Sequence, residues 1–300
     1  MRIADRGMRI GLLTKPVLLC LGIVTVSCLT AFPELAISAD KAAQPQIIVE
    51  PKKAGPGDIL TVTVKNISGP VEGMFNGKKL YFNEAKSSMK AVLAIDLYAE
   101  PGPYKLHIAA DGKKISRTVR VSPKKYPVQR LTLPPDLVVL SPENEARVER
   151  EQKKMAVLWP VDSLRLWTGD FIDPLPGKEI GTPFGVRRFI NKIPKNPHSG
   201  VDVSAEMGDP VLAPNDGVVV LVDEQFYSGR SIVIDHGQGI YTMFFHLSKI
   251  NVVPGQAVMK GDHIGEVGST GRSSGPHLHW GVRIQGARVD PLELIRLKLE

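Results

Sequence analysis

Asn215-Asp216-Gly217 runs into Val218-Val219-Val220-Leu221-Val222, and Ser228-Gly229 runs into Ser231-Ile232-Val233-Ile234. In each case a turn signal precedes a short apolar run rich in β-branched residues, the pattern of strands joined by tight turns. The same pattern extends from Gly181 to Pro291, where Gly255, Gly261, Gly265, Gly268 and Gly271 punctuate the later part. It also appears nearer the N-terminus. From Gln46 to Val121 polar and apolar residues alternate, and Ile59-Leu60-Thr61-Val62-Thr63-Val64 places Leu60, Val62 and Val64 on one face. Asn76-Gly77 and Asp111-Gly112 mark hairpins, and Gly55-Pro56-Gly57-Asp58 marks a loop. The expected fold class is all-β.

Several strands within residues 45–122 predict a small β-sandwich of immunoglobulin-like type. It reads as a spacer or targeting module, since its single histidine, His107, has no chemical neighbours in the sequence. Residues 123–177 read as a linker that opens on Pro123, Pro127, Pro134 and Pro135. Ser141-Pro142-Glu143 then supplies an N-cap, a proline at the first helical position and early acid, predicting one solvated helix to about Lys154. Trp159 and Trp167 are expected to pack the linker onto a neighbouring domain. Residues 178–300 form the second strand-rich domain.

Composition agrees with this division. The 300 residues include 28 Gly and 24 Pro but only 9 Phe, 6 Tyr and 3 Trp, which favours short strands and turns over long helices. With 23% charged and 43% hydrophobic residues, the chain can build a core, which excludes global disorder. No stretch reaches eighteen uninterrupted apolar residues, which argues against a polytopic membrane protein.

Arg2, Arg6, Arg9 and Lys15 precede an apolar run from Val17 to Phe32, and Ala36-Ile37-Ser38-Ala39 follows. This reads as a secretory signal peptide over residues 1–39, cleaved near Ala39, with an uncleaved anchor as the alternative. Membrane contact is expected through this segment alone, and the protein is expected to be exported to the periplasm or cell envelope. Both cysteines, Cys20 and Cys28, lie in the apolar run, so a cleaved chain has no disulfide and no thiolate ligand. Any metal site must then use histidine and carboxylate. Taking four basic and two acidic residues away with the signal leaves 34 Lys and Arg against 29 Asp and Glu, a net +5. That mild excess suits an anionic wall polymer and is too scattered to argue for nucleic acid.

Six of the seven histidines lie between His198 and His279. His198-Ser199-Gly200-Val201-Asp202 has the i, i+4 spacing of a helical ligand pair, but Pro197 and Gly200 oppose a helix. A loop histidine feeding a strand that presents Asp202 is the expected geometry. In His277-Leu278-His279-Trp280 the i, i+2 spacing of a strand projects both imidazoles to one face. His246 ends the apolar strand Thr242-Met243-Phe244-Phe245, while His236 and His263 read as turn residues. Two histidines and a carboxylate are a recurrent zinc set that leaves a position for water. Spacing alone does not say which of His277 and His279 would bind the metal.

Gly181-Thr182-Pro183-Phe184-Gly185, Pro197-His198-Ser199-Gly200-Val201-Asp202, Ala213-Pro214 with Asp216-Gly217-Val218, Ile234-Asp235-His236-Gly237, His246-Leu247 and Gly268-Ser269-Thr270-Gly271 before Gly275-Pro276-His277-Leu278-His279-Trp280 together resemble a lysostaphin/LytM-type zinc metallopeptidase. The resemblance covers roughly residues 178–292. It implies a compact antiparallel β domain with its site in a groove, one Zn2+ per chain, and endopeptidase action on peptidoglycan peptides. It further implies that His198, Asp202 and His279 are the zinc ligands. His277 would be the general base and His246 the histidine that holds the tetrahedral intermediate. The basic, proline-containing stretch Val186 to Pro197 reads as a loop bordering the groove.

Two other readings compete. Gly271-Arg272-Ser273-Ser274-Gly275 fits the G-x-S-x-G pattern, but a nucleophile elbow needs a helix directly after it, and here a strand signature follows. Some LytM-type domains have lost their ligands and regulate other wall hydrolases. A latent or non-catalytic domain that binds the cell wall and regulates other wall hydrolases is therefore the alternative function. In either case an envelope protein is an expected partner of the N-terminal domain.

Overall fold

The computed structural model describes residues 44–132, 139–160 and 162–299. The signal-peptide reading falls outside them. Among the described residues no helix is long and apolar enough to cross a membrane.

Eight strands build the N-terminal part: β1 (Gln46–Glu50), β2 (Ile59–Lys65), β3 (Val71–Phe75), β4 (Lys78–Leu80), β5 (Asn83–Ala85), β6 (Ser88–Ala94), β7 (Gly102–Ala110) and β8 (Lys113–Val121). They form two four-stranded antiparallel sheets, ordered β1-β2-β6-β5 and β4-β3-β7-β8. As the alternation predicts, Leu60, Val62 and Val64 are buried, and they share one core with Ala91 and Leu93 of β6 and Phe75, Leu106 and Ile108 of the other sheet. Asn76-Gly77 and Asp111-Gly112 have positive φ at both positions, the turn geometry that matches strand twist and sets the pairs Phe75↔Lys78 and Ala110↔Lys113.

After this sandwich come β9 (Val128–Leu131) and helix α1 (Pro142–Ala156). From Ile180 onward the chain forms β10 (Ile180–Thr182), β11 (Arg187–Ile190), β12 (Ile193–Pro194), β13 (Gly200–Ser204), β14 (Pro210–Leu212), β15 (Gly217–Gln225) and β16 (Gly229–Asp235). Then follow β17 (Ile240–Leu247), β18 (Lys249–Ile250), β19 (Ala257–Val258), β20 (His263–Glu266), β21 (His277–Ile284), β22 (Ala287–Val289) and a short helix, α2 (Pro291–Leu294). The main sheet runs β10-β13-β21-β17-β16-β15-β19, with β22 beside β21. The all-β expectation holds.

The main sheet is covered on both faces, which explains why Ile232, Val233 and Ile234 are all fully buried. Ile232 and Ile234 join a core with Val201, Val203, Leu278 and Trp280. Val233 points the other way, into a cluster with Leu221, Tyr241 and Met243 that Met155, Leu158 and Trp159 cover from the end of α1. Helix α1 begins as predicted, with Ser141 Oγ accepting from the Asn144 N–H (3.3 Å) and Pro142 in the first turn. Its charged side chains tie it to β15, Lys154 to Asp223 at 2.9 Å and Arg147 to the Glu224 carbonyl at 2.9 Å. Trp167 is buried with Phe171 and Leu175 in the larger core, so both linker tryptophans pack on the C-terminal half.

The sandwich is joined to that half through Ile59 and Leu97, which belong to its core rather than to their own. The amides of Asn83 and Gln238 pair reciprocally at 3.0 and 2.9 Å, and the Ile59 N–H donates to Glu293 at 2.8 Å. One feature of the linker and one of the C-terminal half differ from the expectation. β9 pairs in parallel with β11, and within the stretch Val186 to Pro197, expected as a loop bordering the groove, residues 187–194 form a hairpin, β11–β12. Asn191 and Lys192 both take positive φ to make its turn, a role that Asn-Gly usually fills and that Asn-Lys does not advertise.

His236, read as a turn residue, is fully buried, its Nδ1 2.8 Å from the Asp216 carbonyl and its Nε2 2.8 Å from Thr242 Oγ1. Burial pushes its pKa down to about 4, against the opposing pull of the Asp216 carbonyl. The unfolded chain binds this proton near ~6.5, so the native state loses stability as pH falls below that value and through about 4. The loss from this group is on the order of 3 kcal/mol. Urea unfolding of chelator-treated protein at pH 7 and pH 4.5 is expected to show this decline, and His236→Gln is expected to flatten it. An equal pH slope in the variant would refute the assignment.

Candidate metal centre

Three paired strands set out the site. In β21, Leu278 and Trp280 enter the core, so His277 and His279 emerge on the opposite face. β13 lies beside β21 with Asp202 directly opposite His279, and Val201 and Val203 on the core side put Asp202 on the same face as the histidines. Phe245 of β17 is opposite His279 from the other flank, and the two rings stack at 5.3 Å with planes 4° apart. Gly200 lies where a Cβ would meet the Trp280 carbonyl at 2.4 Å and His279 Nε2 at 2.7 Å, which explains the glycine between His198 and Asp202.

His198 precedes β13, as the sequence reading placed it, and is buried between the chain segments at Val186 and Gly185 by backbone bonds of 2.9 and 2.8 Å. Its Nε2 lies 2.8 Å from Asp202 Oδ1 and 3.0 Å from His279 Nδ1, and His279 Nδ1 lies 2.9 Å from the same Asp202 oxygen. These three atoms form a near-equilateral triangle. Donors about 2.0–2.2 Å from one tetrahedral ion stand roughly 3.4 Å apart, so a few tenths of an ångström of opening suffices to share one. His198, Asp202 and His279 are thus a group that can hold a metal ion. Two imidazoles and one carboxylate suit zinc better than calcium or magnesium, which take all-oxygen sets.

The other two predicted histidines border this triangle. His277 Nε2 is 3.9 Å from Asp202 Oδ1. His246 packs against His277 with ring centroids 4.7 Å apart and against His279 at 6.2 Å. His246 reaches the site through an irregularity. Period-2 alternation after Phe245 would turn it to the core face, but β17 carries an extra residue opposite Ser231, and His246 takes φ +64°. This bulge swings the ring back beside Phe245. The close approach of Gly268, where a Cβ would lie 2.6 Å from the His246 carbonyl, supports the turn.

Hydrogen bonds fix the tautomers. The Nδ1 of His198 is 2.9 Å from the Pro183 carbonyl, that of His246 is 2.8 Å from the Thr270 carbonyl, and that of His277 is 2.9 Å from the Gly275 carbonyl. A carbonyl only accepts, so each Nδ1 carries the proton and each Nε2 presents a lone pair to the site. Burial pushes the His279 pKa down to about 4 and lowers that of His246, which keeps both neutral near pH 7. For Asp202, burial alone would raise the pKa. The adjoining His198 and His279 rings outweigh that and hold its carboxyl well below the usual range.

The second oxygen of Asp202 faces Arg188, whose Nη2 is 3.5 Å away and whose Nε donates to Gln129 of β9 at 3.1 Å. Neither residue stands out in the basic stretch or the linker by sequence alone, because the parallel β9–β11 pairing that unites them is non-local. Ser273, of the G-x-S-x-G match, is followed by strand β21 and bonds the Gly275 carbonyl at 2.7 Å, so it has no elbow geometry.

A sequence model of peptidase family M23 matches residues 196–291. A crystal structure described as a peptidase M23 from Pseudomonas aeruginosa is 33% identical, superposes with TM-score 0.67, and the alignment covers 81% of this chain and 95% of that one. The chain belongs to peptidase family M23. Among curated relatives, the DD-carboxypeptidase/endopeptidase Mpg of Neisseria meningitidis is 40% identical over 123 residues, 41% of this chain and 28% of its own length. The peptidoglycan DD-endopeptidase ShyA of Vibrio cholerae is 43% identical over 116 residues, 38% of this chain and 27% of its own. The matches to both relatives therefore span less than a third of their length.

Proposed function

We propose that this chain is an exported zinc endopeptidase that hydrolyses peptide bonds of peptidoglycan. One observation supports this above the others: the triangle of His198 Nε2, Asp202 Oδ1 and His279 Nδ1, with separations of 2.8–3.0 Å, beside two further imidazoles. The M23 membership and the named activities of Mpg and ShyA give the substrate class. The signal-like residues 1–39 support export as the compartment reading. The strand order, with β1, β2, β6 and β5 in one sheet and β4, β3, β7 and β8 in the other, supports the immunoglobulin-like reading of residues 45–122.

In this reading His198, Asp202 and His279 hold the zinc. When bound, zinc lowers the pKa of water towards ~7 and polarises the scissile carbonyl. His277, its Nδ1 proton committed to the Gly275 carbonyl, offers Nε2 as the base that takes a proton from the attacking water. His246 is held by the Thr270 carbonyl in the same way, so its Nε2 donates to the carbonyl oxygen only when the ring is protonated. Burial disfavours that form in the resting site, and the negative charge arising on the oxygen favours it. The alternative of a purely wall-binding domain leaves this set of four oriented imidazoles without a purpose.

Mature protein incubated with purified peptidoglycan is expected to release peptides with newly freed amino and carboxyl ends. A chelator is expected to stop the release and added zinc to restore it. Undiminished digestion by metal-free protein would overturn the reading.

A further inference from the structure

The β11–β12 hairpin carries Arg187, Arg188, Lys192 and Lys195 through residue 195 and no carboxylate. Its neighbour β9 adds Arg130, whose guanidinium lies 5.4 Å from the Phe189 ring centroid. Among the described residues no carboxylate comes within 4.0 Å of Arg187, Lys192 or Lys195, and Arg188 has only Asp202. That contact, 3.5 Å from Nη2 to Oδ2, is longer than a good hydrogen bond. Meanwhile Gln129, the direct register partner of Arg188, accepts from its Nε at 3.1 Å. The linker strand thus anchors the guanidinium from behind, while Nη2 faces the site.

The charges decide what this arginine can do. Asp202 is the one acid shared by the three-donor group and Arg188. A dication on the donors would compensate its charge and would repel a neighbouring guanidinium. Arg188, with a third of its side chain exposed, would then be a cation with no counter-charge, one carboxylate's width from the donor triangle. An anion delivered by the substrate would supply what is missing, and the planar fork of arginine fits a carboxylate with two parallel hydrogen bonds.

We propose that Arg188 is a carboxylate subsite: it selects peptidoglycan peptides bearing a free carboxylate close to the scissile bond over uncharged bridges such as oligoglycine. Gln129 is its positioning residue, and the other cations of the hairpin extend the attraction along an acidic peptide. The inference rests on hydrolysis at this site as proposed above.

The test uses the full mature chain and two cross-linked stem peptides that differ only in the group beside the scissile bond, a carboxylate in one and a carboxamide in the other. The unaltered protein is expected to prefer the carboxylate through KM. Arg188→Met should shrink that preference about 10- to 100-fold, Arg188→Lys should restore part of it, and Gln129→Ala should fall between. The same order is expected in Kd, by calorimetry, for the uncleavable carboxylate-bearing half of the peptide. Zinc content of Arg188→Met should stay at one per chain. An unchanged ratio between the two peptides would overturn the subsite, and so would loss of zinc, which would make Arg188 only a support for Asp202. If the unaltered protein cleaved neither peptide, the peptidase reading would fall; the calorimetric comparison would still judge Arg188, with equal Kd for carboxylate and carboxamide counting against it.

Discussion

His279→Ala protein is expected to contain less than a tenth of a zinc per chain after dialysis and to lose hydrolysis of wall peptides by about a thousandfold or more. The size of the effect follows from the donor triangle. His279 Nδ1 stands 3.0 Å from His198 Nε2 and 2.9 Å from Asp202 Oδ1, so its removal leaves only two donors. Folding should survive, because the pairing of β13 with β21 is made by backbone at Asp202↔His279, and Leu278 and Trp280 still fill the core. The lost ring had packed flat on Phe245, so some loosening there is expected. Asp202→Asn provides a variant of nearly unchanged shape. It keeps an oxygen in place but removes the charge, and should weaken zinc binding in the same direction. Atomic absorption on both variants, with circular dichroism as the control for folding, decides the matter. Stoichiometric zinc in folded His279→Ala would remove the ligand assignment.

Which parts of this site were legible in sequence depends on how local their causes are. The pairing of His277 with His279 on one face follows from strand period alone, and the core burial of Leu278 and Trp280 agrees with it. Asp202 was equally legible, because Val201 and Val203 alternate around it. The hairpins at Asn76-Gly77 and Asp111-Gly112 and the start of α1 at Ser141 were fixed by residues with few alternatives. His246 was different. Its periodicity points it to the wrong face, and only the bulge and positive φ bring it to the site, so family resemblance located it where pattern could not. The linker was the least legible. Val128–Leu131 is too short to signal a strand, and its partner β11 lies beyond α1 in the chain, so neither the parallel pairing nor the Gln129–Arg188 contact follows from local sequence. Asn83 and Gln238, which bond the sandwich to the C-terminal half, meet for the same non-local reason.

His277→Ala should separate metal binding from chemistry. It is expected to retain one zinc per chain and to lose turnover by about 10²- to 10⁴-fold, the range of a positioned general base. The geometry distinguishes it from His279 although the two side chains leave the same strand face. His277 Nε2 is 3.9 Å from Asp202 Oδ1, outside the triangle, and its nearest fixed partner is the Gly275 carbonyl on its far nitrogen, with Ser273 Oγ at 3.3 Å. That carbonyl makes Nε2 a lone-pair donor beside the His198–Asp202–His279 donor triangle, which a base requires and a bystander does not. The loop Ser273–Gly275 loses one anchor in the variant but keeps the bond from Ser273 Oγ to the Gly275 carbonyl at 2.7 Å. His277→Gln is the control for loop order, since it can restore a donor to Gly275 without restoring a base. Both variants should therefore bind uncleaved peptide with near-normal affinity and fail in kcat. Turnover within tenfold of the unaltered protein in either variant, with zinc bound, would show that the water loses its proton to some other group.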